Sequence, residues 1–167
     1  TPPSNNPEEW IELYNKGAAA VSLAGWKLDG AVQFTFPAGT TMAPGDFLVV
    51  ANNSAALKVK WPEIAGKITG DFSGGLSNSG ERLELEDASG NPAAEIRYYT
   101  DGWSDGGGSS LELRDPRSDI THPAAWAASD ESGKSTWQTY TYRMTGGQNF
   151  GQTVWNEMRL GMLDAGE

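Results

Sequence analysis

Apolar and polar residues alternate in short runs along most of this 167-residue chain, and turn-forming residues end each run within a few positions. A period of two marks strands with one buried face, and it leaves no room for the wider spacing of a long amphipathic helix. In Glu9–Asn15, Ile11 and Leu13 fall on one face and Trp10, Glu12 and Tyr14 on the other. Val21–Leu28 continues the pattern, with Gly25 marking a bulge or bend. Val32–Phe36 alternates until Pro37 stops it, and Ala43-Pro44-Gly45-Asp46 reads as a turn. Phe47–Ala51 is apolar throughout, which predicts a central strand covered on both faces.

The next stretch changes character. Ser54 is expected to cap a short helix through Lys58 that ends before Pro62, and 71–80 reads as a Gly/Ser/Asn loop. Glu81–Glu86 and Ala94–Tyr99 flank Asp87–Pro92 as a hairpin, and Ser110–Arg114 supplies a further strand. At least seven short strands thus precede residue 115, at the turn spacing of a β-sandwich. Beyond them, 115–133 is polar and irregular. Ser135–Tyr142 then alternates aromatic with small polar residues, and Val154–Leu163 reads as a strand rather than a helix because of Gly161.

Composition removes several classes of function. Twelve Lys and Arg against 22 Asp and Glu leave a net charge of −10, which repels phosphate backbones and disfavours a general nucleic-acid binder. The absence of Cys rules out disulfides, thiolate zinc sites and a Cys nucleophile, and the single His122 cannot build a multi-histidine metal site. No apolar run approaches the roughly 20 residues of a membrane-spanning helix, so no membrane insertion is expected. The 21 glycines fall largely in the turns, whereas part of the load of seven Trp lies in the polar tail. A first residue Thr1 in place of Met reads as a mature form or an excised piece.

The ordered motifs Glu9–Asn15, Val21–Leu28, Phe36–Thr40, Pro44-Gly45, Leu48–Ala51, Asn78–Leu85, Asp87–Gly90 and Gly108–Leu113 resemble the lamin-tail domain in its bacterial form, over roughly residues 8–126. The resemblance implies an all-β, immunoglobulin-like β-sandwich without catalytic machinery, followed by a C-terminal β-rich extension. It places the sandwich at 1–128 and, at 129–167, a linker with the leading strands of a jelly-roll-like neighbouring module. Two departures stand out. The family's opening Ile-Asn-Glu strand is missing before the loop that Thr1–Pro7 resembles, and 135–167 lies past the family's usual end. We therefore expect a piece of a longer polypeptide in which 154–163 covers a sheet edge.

In nuclear lamins the family associates with DNA, protein or lipid. In bacteria it accompanies other domains of secreted or surface proteins. The implied role here is a non-catalytic scaffold or interaction module, extracellular or at the cell surface, whose partners are neighbouring domains or other surface proteins. The alternative is a glycan-binding accessory module.

Glu9 and Glu12 point to opposite faces of one strand and cannot share acid and base roles. Glu84 and Glu86 share a face and alternate with Leu83 and Leu85, the ordinary pattern of a half-exposed strand. Asp87 and Asn91 offer oxygens for a turn-bound calcium, as do Asp101 and Asp105 near Gly106–Gly108, but Asx residues in turns usually bond their own backbone. No cofactor is therefore expected. Ser118, Asp119 and His122 have the residue types of a triad without a framework to place them. Trp26, Phe34, Phe36 and Phe47 are assigned to the core. Trp103, Trp137, Tyr140 and Tyr142, in polar surroundings, are the candidate interaction surface, facing a neighbouring domain or a sugar.

Overall fold

The computed structural model describes residues 9–77, 79–99 and 110–129. The chain divides into two compact units, Thr1–Ser129 and Asp130–Glu167, and every described residue lies in the first. The expected strands at 135–142 and 154–163, and the loop at Thr1–Pro7, lie outside the described residues.

In chain order the elements are β1 (Trp10–Tyr14), β2 (Val21–Ser22), β3 (Lys27–Gly30), β4 (Val32–Thr35), β5 (Thr41–Met42) and β6 (Phe47–Ala51). Helix α1 (Ser54–Lys60) and a 3-10 turn (Pro62–Lys67) follow. Then come β7 (Ile68–Gly70), β8 (Ser73–Gly74), β9 (Gly80–Glu86), β10 (Pro92–Tyr99), β11 (Leu111–Leu113) and β12 (Trp126–Ala128). One sheet has the order β1-β6-β7 and another β10-β9-β3-β4-β8, while β2-β5 and β11-β12 form two-stranded pairs.

The sandwich closes between the two larger sheets. Leu28 and Val32 from the five-stranded sheet and Val50 from the three-stranded sheet meet Leu23, Phe36, Met42 and Phe72 in one buried cluster. Ile11, Leu13, Leu48, Leu83 and Leu85 pack around it. Along β6 the alternate residues turn the other way: Val49 and Ala51 join Leu57 of α1 and Ile68 of β7 in a second cluster. The uninterrupted apolar run is thus explained. Leu48 and Val50 serve the sandwich, and Val49 and Ala51 serve a layer made by the helix.

That helix is also what makes β7 possible. β6 and β7 pair in parallel, with Val49 opposite Ile68, and parallel neighbours need a crossover connection, which α1 and the 3-10 turn provide. Three expectations change here. The side chain of Asn53, not Ser54, caps the helix by accepting from the Ala56 amide at 3.0 Å. The expected strand over Val21–Leu28 is two strands, because Gly25 takes φ 77° and the Trp26 amide closes a turn onto the Leu23 carbonyl at 2.9 Å. And the glycine-rich segment 71–80 holds β8 and the start of β9.

The hairpin at Asp87–Pro92 is present as expected, joining β9 to β10 in antiparallel register. The segment read as irregular after residue 115 contains β12, which pairs with β11 and returns the Trp126 indole N–H to the Ile120 carbonyl at 2.9 Å.

Candidate interaction surface

On β1 the odd residues Ile11 and Leu13 face the sandwich core, so Trp10, Glu12 and Tyr14 stand on the outer face of the three-stranded sheet. Antiparallel pairing sets Trp10 opposite Ala51, Glu12 opposite Val49 and Tyr14 opposite Phe47. Leu57 of helix α1 packs with Val49 and Ala51, and Phe47 is not in that cluster. Trp10 and Tyr14 are each 38% exposed and Phe47 44%. The Tyr14 and Phe47 rings meet at 4.7 Å between centroids, tilted by 37°. Phe47, assigned to the core from its sequence, is instead half of an exposed aromatic pair. Its position as the first residue of β6, directly after the Pro44-Gly45-Asp46 turn, was the signal.

Glu12 lies between Trp10 and Tyr14. Partial burial pushes its carboxyl up from the ordinary value, and the Glu112 charge on β11 pushes it further. Glu9, on the opposite face, spends Oε2 on the Leu76 amide at 3.1 Å. The two carboxylates therefore serve separate environments, as their spacing implied.

The outer face of the five-stranded sheet is charged. Arg82 donates through Nη2 to Glu84 at 2.5 Å and through Nε to Glu95 at 2.9 Å. Glu84 is only 7% exposed beneath this pair, so on a strand expected to be half-exposed it is a covered, ion-paired carboxylate. Glu95 is held below the ordinary range by the Arg82 hydrogen bond. A hollow of about 240 Å³ opens beside Lys27, Asp29, Gln33, Thr35 and Glu86, and Lys27 lies directly opposite Glu86 in the ladder. At the sheet's end the Tyr98 hydroxyl is buried with no well-formed hydrogen bond among the described residues and is pushed up to about 12, first by burial and then by Glu81 and Glu9, against a smaller lowering by the Ser77 backbone.

The remaining candidates resolve locally. Asp87 accepts from the Ser89 and Asn91 amides and from Asn91 Nδ2 at 2.8–2.9 Å, which holds its carboxyl below the ordinary range and commits its oxygens to the turn. Among the described residues no group of three or more His, Asp or Glu converges on a metal position. His122 Nε2 stands 3.6 Å from Asp119 Oδ2, with both side chains largely exposed, while Asp119 Oδ1 accepts from the Thr121 amide and hydroxyl. Asp101, Asp105, Gly106–Gly108, Trp103, Trp137, Tyr140 and Tyr142 lie outside the described residues.

A mostly-β architecture in several sheets around a shared core, with exposed aromatics on one sheet face, defines an immunoglobulin-like sandwich of the kind used for association. The family model described as Lamin Tail Domain matches residues 1–100, and the chain belongs to that family of interaction domains. The match ends at β10, short of the 126 expected from motifs, so β11 and β12 lie past it. A comparison with curated proteins gives no match.

Proposed function

We propose that this chain is a non-catalytic interaction module of a larger secreted or cell-surface bacterial protein, docking neighbouring domains or other surface proteins. The observation that carries this is the exposed aromatics on one sheet face, Trp10 at one end of β1 and the Tyr14–Phe47 pair at the other, since aromatic anchors dominate protein–protein contacts. Secretion and a bacterial source draw support from the motif-level likeness to the bacterial form of the family. A net charge of −10 favours protein over nucleic-acid partners, and we take the module to bind no cofactor and to insert in no membrane. The glycan-binding alternative draws on Trp103, Trp137, Tyr140 and Tyr142.

Crosslinking mass spectrometry on the full-length secreted polypeptide tests the proposal. Crosslinks from Lys16 and Lys67 to another domain or surface protein are expected. A domain that crosslinks only to itself, or that holds DNA at physiological salt, would overturn it. Glycan-array signal that disappears in Trp137→Ala would move the assignment to the alternative.

A further inference from the structure

The hydrogen bonds at the two ends of β1 establish where its amides point. The Asn52 amide donates to the Glu9 carbonyl at 2.9 Å, and the Asn15 amide donates to the Asp46 carbonyl at 3.0 Å. In an antiparallel ladder such pairs recur at every second residue. Glu9, Ile11, Leu13 and Asn15 therefore bond to β6, and the N–H and C=O groups of Trp10, Glu12 and Tyr14 point away from it. Among the described residues β1 is the terminal strand of its sheet, and none of those six groups has a partner there. Edges of this kind are templates for a further strand unless bulges, Pro or charge protect them. β1 has neither bulge nor Pro. Among the described residues its protection is charge: Glu12 at the centre of the edge, with Glu112 of β11 near enough to act on it.

We propose that the free edge of β1 accepts an extended segment of a partner polypeptide whose outward residues run aromatic, basic, aromatic, adding a strand to the three-stranded sheet. This rests on the interaction-module reading above and names its site and the chemistry of its partner. Backbone bonding to Trp10, Glu12 and Tyr14 supplies the affinity common to strand addition, and the outward side chains supply selection. A basic residue opposite Glu12 meets a carboxylate already crowded by Glu112, so pairing relieves a repulsion as well as adding an attraction. Aromatic residues on either side extend the exposed row of Trp10, Tyr14 and Phe47. A second copy of the chain fits poorly: symmetric antiparallel pairing about Glu12 sets that carboxylate against its own copy, and both chains carry −10.

Fluorescence anisotropy of the 167-residue protein with capped, labelled peptides tests this. The probe alternates threonine with tyrosine, lysine and tyrosine (TYTKTYT), and its control replaces lysine by glutamate (TYTETYT). The lysine peptide is expected to bind about fivefold or more tighter than the control, and Glu12→Lys is expected to invert that order. N-methylation of one alternate set of peptide amides should abolish binding, while methylation of the other set leaves it within about threefold. Equal binding of the two peptides, equal loss from both methylation patterns, or no binding of the lysine peptide at about 1 mM overturns the edge assignment. If peptides fail while crosslinks of the full-length protein to a partner persist, only the edge assignment falls. If both fail, the interaction-module reading falls with it.

Discussion

The side-chain amide of Asn15 donates to the carbonyl of Met42, 27 residues further along the chain, at 3.1 Å. The same nitrogen reaches the carbonyls of Ala43 at 3.0 Å and Ala19 at 2.9 Å, while Oδ1 accepts from the Gly17 amide at 3.0 Å. Asn15 is buried, and its backbone is bonded to Asp46 and Gly45 as well. One residue thus ties the end of β1 to the turn that launches β6. Asn15→Ala leaves buried carbonyls unsatisfied and is expected to cost about 1–3 kcal/mol by urea denaturation, whereas Asn15→Asp, which sets a carboxylate against those carbonyls, should cost more.

Two phenylalanines separate core from surface. Phe36 is buried in the sandwich, edge-on to Phe34 with centroids 5.0 Å apart. Phe36→Ala should destabilise by about 3–5 kcal/mol. Phe47→Ala removes an exposed ring and should cost no more than about 1 kcal/mol in the same titration.

Gly30 has φ 95°, and a Cβ there would sit 2.3 Å from the Arg82 carbonyl oxygen, in the tight pairing of β3 with β9. Gly30→Ala is therefore expected to cost more than about 1 kcal/mol, from both the backbone conformation and the clash. Gly39→Ala, also at positive φ but with open space around it, should cost less in a side-by-side thermal melt.

Acid should loosen the fold through identifiable turns. Asp46 is held below its ordinary 3.8 chiefly by Lys67, Asp71 by the Ser54 amide, Asp87 by Asn91 and Asp119 by the Thr121 amide. A carboxylate with a lowered folded value adds stability that is complete above its unfolded value and is lost as pH falls through the folded one. The urea midpoint should accordingly decline once pH drops below about 4. Glu12 works in the opposite sense, because its folded value is raised and its ionisation opposes folding as pH climbs past 4.5. Glu12→Gln should raise the midpoint slightly at pH 7, and not at pH 3.

Much of this fold is legible in short-range pattern. The alternation of β1, the Asp87–Pro92 hairpin and the doubly covered run of β6 each depend on neighbours in sequence or on a period the residues display. Less visible features depend on partners elsewhere. β7 is three residues long and exists because β6 offers a parallel edge and α1 returns the chain to it. Glu84 looks like any outward strand charge until Arg82 folds over it toward Glu95. Asn53 and Ser54 are both good caps by type, and only the turn geometry selects the first. The free edge of β1 was invisible for a similar reason: which amides go unpaired depends on strand order, and strand order is a property of the assembled sheet.

Because β6 is apolar on both faces, sliding it by one residue would trade one set of greasy side chains for another. Its hydrophobic pattern supplies almost no information about where it should stop. That information has to come from polar groups at its ends, and the Asn15 clamp beside the Lys67–Asp46 ion pair is where the structure keeps it. The strand at the centre of the domain is positioned from its periphery. A variant that loosens the clamp should therefore yield a mixture of strand alignments before it yields an unfolded chain.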